Sequence, residues 1–485
     1  MEPRPLVPQS SLPAVALAKP FWLVVLALLW PAQLVNMSAV ITSVAQAQVA
    51  QAFHTTQIVW FSAIYALIGT LLLPFAVKLS DMHGKRRVML TLVVIGLGGD
   101  VLCALAPTFE VLLIGRAIAA CYVPVAALTL AAARDVVPVE RLKTVTGIIG
   151  AALGAVIAIG PLIAGWLLDS YGFPGAMWFV AACTALGLVL VAFVLPETPR
   201  HADRSGFDWT GGLLLALSVL AIMVGLGGGS QLGWASPQVL GPVTIGVILL
   251  AVFVFVEKRA RNPIIDLAML SRRKVAVVLT ASSMIQGFAF AAAGIMTVVI
   301  PLYPTIPGVS DGLGWSATYG AVVGLPAGVV LFVTGVLAAF AARRFGTRAT
   351  WLAAVPIVFF GLVLQAFFHH NATEIILTGV FAALGTGIVY GCTPILVLES
   401  VSTKEQAQAS GMSLMLVGLM VTLGAQVLFT VLSGSATISN GTAFYHDSGY
   451  RNAYLALAGI VAVSLLVSLL IPKAGARTHD EVHAS

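Results

Sequence analysis

Three ionisable side chains stand where the sequence is otherwise apolar. Asp100 lies in "TLVVIGLGGDVLCALAP", residues 91–107, and Glu110 and Arg116 lie in "FEVLLIGRAIAACY", residues 109–122. Charges among such neighbours are costly and are kept for a purpose. A carboxylate there can take up and release a proton, and an arginine there supplies a fixed positive charge. Asp100 precedes Pro107 by seven residues, and Arg116 follows Phe109 by seven. At about 1.5 Å per residue both sit about 10 Å below the same surface. The spacing therefore predicts an Asp100–Arg116 ion pair, with Glu110 at the mouth as the competing carboxylate.

Other chemistries are excluded by what the chain lacks. No phosphate-binding glycine loop and no nucleophile motif occurs, so an enzyme is not expected. Cys103, Cys121, Cys183 and Cys392 all lie in apolar runs without C-x-x-C spacing, which predicts neither a metal site nor disulfides. No cofactor is expected. The net charge of +6 is spread over short clusters between apolar runs, so nucleic acid is not an expected partner.

The elements that must position these residues follow from composition. Hydrophobic residues make up 59% of the 485 and charged ones only 9%, too few to cover a soluble protein of this size. Runs of about 20 apolar residues predict membrane-spanning helices. About fourteen are found: 21–43, 57–77, 88–107, 109–132, 144–167, 176–195, 209–227, 239–256, 275–301, 316–341, 349–368, 374–398, 409–433 and 452–472. The first is too long for a cleavable signal. With both termini placed in the cytoplasm, all but two of the 25 Lys and Arg fall in inside segments. The exceptions are Arg451, outside, and Arg116, within a span; this bias supports the topology.

The loop "VKLSDMHGKRRVML" after the second span has an echo, "AFAARRFGTRATWL", after the tenth. Aligning Gly84 with Gly346 gives an offset of 262 residues. Internal repeats of this kind predict two related bundles. The offset is long for six helices, and the excess falls between two charged segments. We therefore expect an all-α membrane protein: a six-helix bundle over 1–205, an inserted helix pair over 206–262, and a second six-helix bundle with a short tail over 263–485.

With these features the sequence resembles the major facilitator superfamily, and within it the fourteen-span drug:proton antiporter branch, over nearly the whole chain. The family's loop pattern G-x-L-x-D-R-x-G-R-R is met in part by Asp81, Gly84, Lys85 and Arg86; its first Gly and the Arg after the Asp are missing. The resemblance implies a cytoplasmic gate there. Gly154, Gly160, Pro161 and Gly165 meet the antiporter pattern G-x(5)-G-P-x-x-x-G, which implies a helix at the interface between the halves and export. Arg116 matches the family's arginine, but Ala119, Ala120 and Tyr122 replace the residues that follow it. The branch's usual Asp in the first span is replaced by Asn36 in "NMSAVITSVAQ". Asn cannot titrate, so Asp100, partnered by Arg116, is expected to carry the proton instead.

Transporters of this class bind substrate between the halves near the midplane. The candidates there are Asn36, Tyr122, Gln286, Phe290, Tyr390 and Gln426. The resemblance implies a secondary active exporter of amphiphilic drugs in a bacterial cytoplasmic membrane, with small molecules, protons and the bilayer as partners, working as a monomer. Two alternatives stay open: a dedicated exporter of one metabolite, peptide or lipid, and an uncoupled facilitator or membrane sensor.

Overall fold

The computed structural model describes residues 20–198, 209–233, 235–260, 267–402, 405–439 and 441–471. The expected domain boundaries at 205/206 and 262/263 lie outside them. The described chain is almost wholly helical, as backbone groups in hydrocarbon must be satisfied within the chain. The first part holds α1 (Phe21–Ala52), α2 (Val59–His83), α3 (Lys85–Ala104), α4 (Phe109–Ala119), α5 (Val125–Val136) and α6 (Val139–Phe193), with a 3₁₀ turn, Ala120–Tyr122, joining α4 to α5. Next come α7 (Trp209–Leu232) and α8 (Pro237–Glu257). The last part holds α9 (Leu267–Ser271), α10 (Arg273–Gly294), α11 (Ile300–Leu302), α12 (Ala317–Phe345), α13 (Thr347–Phe367), α14 (Ala372–Ser400), α15 (Gln406–Ser433) and α16 (Asp447–Leu469). A π-helical segment, Ile295–Val299, joins α10 to α11. Two small antiparallel hairpins, β1 (Thr305–Ile306) with β2 (Ser310–Asp311) and β3 (Ala436–Ser439) with β4 (Thr442–Tyr445), precede α12 and α16.

Among the described residues, eleven helices are long and apolar enough to cross a membrane, or twelve with α2, which bends by 44° between Leu73 and Phe75. The sequence reading places two spans, 144–167 and 176–195, where α6 runs as one element. That element is broken inside by Gly172, whose φ of 65° and ψ of −175° are not helical. The apolar stretch of α7, Thr210–Leu226, is shorter than a full crossing helix.

In the first bundle, α1 packs on α6 and α3 packs on α4 and α6; in the last, α12 and α13 flank α14, and α10 lies against α15 and α16. The two bundles meet where α6 touches α12 and α2 touches α15, and α7 lies along both α2 and α15 at that seam. Large apolar side chains of α7, α8 and α12, such as Leu213, Ile248 and Phe340, point outward, as a lipid-facing surface requires.

The repeat recognised in the sequence recurs in the structure. Gly84 (φ 92°, ψ 137°) joins α2 to α3, and Gly346 (φ 84°, ψ 142°) joins α12 to α13 in nearly the same conformation. A positive φ favours glycine at both turns. The residues that follow also correspond. Lys85 binds Asp135 near the end of α5 at 2.7 Å, and Thr347 binds Glu399 near the end of α14 at 2.7 Å. Arg86 donates to the carbonyls of Val191 and Ala192 at the end of α6. Arg348 donates to those of Leu469 and Ile471 at the end of α16.

Candidate functional site

The buried charges of the first bundle are set by how α3 meets α4. A Cβ on Gly99 would lie 2.3 Å from the Ala119 nitrogen, and one on Gly96 would lie 2.3 Å from the Tyr122 ring. The "GLGG" run thus lets α4 approach closely and seats Tyr122 over α3. Asp100, the next residue, is 2% exposed. Its Oδ2 accepts a hydrogen bond from the Thr184 hydroxyl of α6 at 2.7 Å, and its Oδ1 accepts one from the Tyr122 hydroxyl at 3.4 Å.

Arg116, also 2% exposed, points the other way, toward α1 and α2. Its Nε donates to the Phe61 carbonyl (3.2 Å), one terminal nitrogen donates to the Ser38 hydroxyl (3.2 Å), and the other donates to the Thr42 hydroxyl (3.3 Å). Its guanidinium carbon sits 4.1 Å from the centre of the Tyr65 ring and 5.2 Å from that of Phe61, a cation–π arrangement.

The expected direct ion pair between Asp100 and Arg116 is therefore corrected. The two residues sit on faces of α3 and α4 that look toward different neighbours, and similar depth did not bring them together. Two tyrosines stand between them: the Tyr65 and Tyr122 rings meet edge to face with centroids 6.0 Å apart. The Tyr65 hydroxyl is buried near Tyr122 and Ser38 without a well-formed hydrogen bond. The order across the bundle is Arg116, Tyr65, Tyr122, Asp100. Glu110 is not part of it and stands exposed in the first turn of α4, whose N-cap is Thr108.

Tyr122, expected at a cavity wall, is fully buried and belongs to this network. Asn36, half-buried on α1, donates to Gln33, which donates to the Ile149 carbonyl of α6. Gln286 bonds Thr393 at 2.9 Å within the last bundle, Phe290 is exposed, Tyr390 is half-buried, and Gln426 is buried with its Oε1 unpaired.

The loop residues Lys85 and Arg86 bind within the first bundle, as described, and Arg86 also pairs with Glu197. Asp81 is half-buried and pairs with neither of them. Gly154, Gly160, Pro161 and Gly165 all lie in α6. A Cβ on Gly160 would meet Val40 of α1 at 3.0 Å, and one on Gly165 would lie 2.7 Å from the Ala317 carbonyl oxygen of α12. Gly165 therefore sits at the junction of the bundles.

One residue there carried no motif signal. Asp169 accepts the backbone N–H groups of Ala317 (3.0 Å) and Thr318 (2.9 Å), tying α6 to the first turn of α12. At the same end, the Thr442 hydroxyl of β4 donates to the Ala50 carbonyl of α1 at 3.3 Å. Among the described residues, the ion pairs at the opposite end, which bears the basic loops, each stay within one bundle: Lys85–Asp135, Arg86–Glu197, Arg87–Glu197 and Arg272–Glu405.

Two pseudo-equivalent helical bundles, lipid-facing exteriors and charges buried within a span define a membrane transporter rather than an enzyme. The chain matches the Major Facilitator Superfamily over residues 29–425 and belongs to it. It is similar to Multidrug resistance protein Stp of Mycobacterium tuberculosis (strain CDC 1551 / Oshkosh), 26% identical over 418 residues, covering 84% of this chain and 75% of that one. It is also similar to Multidrug resistance protein 3 of Bacillus subtilis (strain 168), 26% identical over 397 residues, covering 79% and 74%. Among solved structures it resembles a D-xylose-proton symporter (TM-score 0.65, 14% identity, 94% of this chain and 99% of that one). It also resembles nucleoside transporter NupG (TM-score 0.56, 16% identity, 92% and 99%). At these identities the likeness to the solved structures is one of fold.

Proposed function

We propose that this chain is a proton-coupled exporter of amphiphilic drugs, of the fourteen-span antiporter branch, in the cytoplasmic membrane of a bacterium. The similarity to two proteins named for multidrug resistance supports the drug-efflux reading. The break of α6 at Gly172 and the apolar hairpin of α7 and α8 support the fourteen-span count. The basic loops then mark the cytoplasmic side, and both termini lie there. The cross-bundle ties at the other end support a state closed outward and open inward.

The observation that carries proton coupling is the environment of Asp100. Its two partners are hydroxyls, and a hydroxyl can donate to a carboxylate or accept from a carboxylic acid. Thr184 has a second acceptor at hand, the Val180 carbonyl at 3.1 Å. When Asp100 binds a proton, the Thr184 hydroxyl turns to Val180 and accepts from the acid. Both protonation states are thus hydrogen-bonded, while a direct salt bridge to Arg116 would have fixed the charged one.

Coupling to substrate follows from Arg116. Among the described residues Asp100 is the buried carboxylate nearest in this chain of side chains, and protonating it removes the counter-charge across Tyr65 and Tyr122. Arg116 holds Ser38 and Thr42 of α1, so the change in field reaches the helix that carries Asn36. Asn36 and Gln426, with Gln286, Phe290 and Tyr390, are the groups we assign to the substrate cavity. Asp81, Gly84, Lys85 and Arg86 form the inner gate, with Asp81 free to engage when the inner side closes. The test is proton exit from everted vesicles preloaded with an acid-inside pH gradient: adding a cationic dye, which enters in exchange, should collapse the gradient with wild type. A dye that moves without proton flux would refute the coupling.

A further inference from the structure

We propose that His369, His370 and Asp447 form a binding site for a divalent transition-metal cation of the zinc class, at the end of the last bundle opposite the basic loops. His369 and His370 occupy the turn between α13 and α14, and Asp447 opens α16. The two imidazoles stack with centroids 4.6 Å apart and planes 18° from parallel. Both Nε2 atoms converge on one oxygen, Asp447 Oδ1, at 2.9 Å from His369 and 3.0 Å from His370.

The outer partners of the rings fix which nitrogen carries the proton. His369 is 2% exposed, and its Nδ1 lies 2.8 Å from the Gln365 carbonyl oxygen. A carbonyl only accepts, so Nδ1 carries a hydrogen and Nε2 is the nitrogen left to face the carboxylate. The ring nitrogen and the carboxylate oxygen close on each other only through a cation, a proton on the ring or a metal ion in its place, and with both rings aimed at one oxygen a single metal ion can serve all three groups. His370 repeats the pattern: its Nδ1 lies 3.3 Å from Glu374 Oε2, and that carboxylate is fixed by the His370 N–H at 2.9 Å and the Asn371 amide at 2.7 Å. An imidazole that donates its far N–H to a carbonyl or carboxylate is the usual second layer of a metal site.

The dimensions agree. The three ligand atoms lie within 4.8 Å of one another. Bonds of about 2.0–2.1 Å give tetrahedral edges of about 3.3–3.4 Å, so the two N–O separations of 2.9 and 3.0 Å open by about 0.3–0.5 Å when the ion enters. Two imidazoles and one carboxylate select zinc-like ions over calcium or magnesium. A cavity of about 320 Å³, lined by Asp311, Leu313, His369, His370 and Asp447, leaves room for water to complete the shell. Asp311 accepts the Asp447 N–H at 3.0 Å and lies 3.4 Å from His446 Nδ1, holding the start of α16 in place. A bound ion fastens the α13–α14 turn to α16, remote from the Asp100 network.

The test is calorimetric titration of the full-length chain, purified in detergent without a histidine tag, with zinc chloride. One ion should bind per chain. His370→Ala and Asp447→Asn should each weaken binding by about tenfold or more, while His54→Ala, at the same end but outside the cluster, should leave it unchanged. Size-exclusion profiles check that each variant is folded. No saturable binding to wild type, meaning that a proton alone serves the site, would overturn the proposal. So would binding that is equal in wild type and both cluster variants.

Discussion

Asp169→Ala removes a tie between the bundles without removing a helix. In the structure the two Asp169 oxygens accept the Ala317 and Thr318 N–H groups across the junction. Ser316 accepts the Tyr319 N–H at 3.2 Å as the cap of α12, a bond that does not need Asp169, so α12 persists when Asp169 is lost. Losing a side chain that satisfies first-turn N–H groups costs about 0.5–2 kcal/mol. The lost interaction of a carboxylate with the helix N-terminus adds about 0.3–1 kcal/mol. The total, about 1–3 kcal/mol, shifts the closed-to-open ratio at this end by about 5- to 140-fold, at about 1.4 kcal/mol per tenfold. Spin labels at Tyr171→Cys and Tyr319→Cys, both exposed positions, flank the tie. With the four native cysteines replaced, electron–electron distance measurements should show one dominant short distance with Asp169 present. A longer population should dominate or appear strongly in Asp169→Ala and partly in Asp169→Asn, which keeps one acceptor oxygen. Identical distance distributions in all three would refute the latch.

Three further outcomes follow from the same geometry. Gly165→Val places side-chain atoms where a Cβ already lies 2.7 Å from the Ala317 carbonyl oxygen, so drug efflux should fall to background with normal amounts in the membrane fraction. Arg116→Lys cannot serve Phe61, Ser38 and Thr42 from one ammonium in the same geometry; losing one charged hydrogen bond costs about 1.5–3 kcal/mol, and the midpoint of unfolding in detergent should drop. Hydrogen bonds from Arg272 and then Ser402 hold the Glu405 carboxyl down to about 2. That depressed value means the pair is intact above the ordinary glutamate range and is lost only as pH falls toward about 2. Glu405→Gln should accordingly leave the pH profile of transport between about pH 5 and 8 unchanged, and a shifted profile would count against Asp100 as the titrating group.

Much of this architecture is written in local pattern. Apolar runs mark the helices, the basic loops mark one end, and Gly84 with Gly346 marks the repeat because both turns favour a residue that adopts positive φ. Asp100 and Arg116 are legible as buried charges for the same reason. Their partners are not, because direction around a helix depends on how closely the neighbour approaches. Gly96 and Gly99 set that approach, turning Asp100 toward Thr184 and Arg116 toward Ser38 and Thr42. Thr184 and Tyr65 carry only the weak signal of a polar residue in an apolar run. Asp169 lies four residues past the antiporter pattern, and its role depends on α12, 148 residues away. The paired histidines stand out in "FFHHNATE", yet their third partner, Asp447, comes from another helix.

The central claim is that Asp100 carries the coupled proton, and its most direct measurement is proton flux on Asp100→Asn in everted vesicles beside wild type. Asn keeps the shape and can still bond Thr184 and Tyr122, so the protein should reach the membrane in normal amount. Drug addition should then produce no proton movement, while downhill exchange of the same drug continues. Proton-coupled efflux by Asp100→Asn at the wild-type rate would contradict the account.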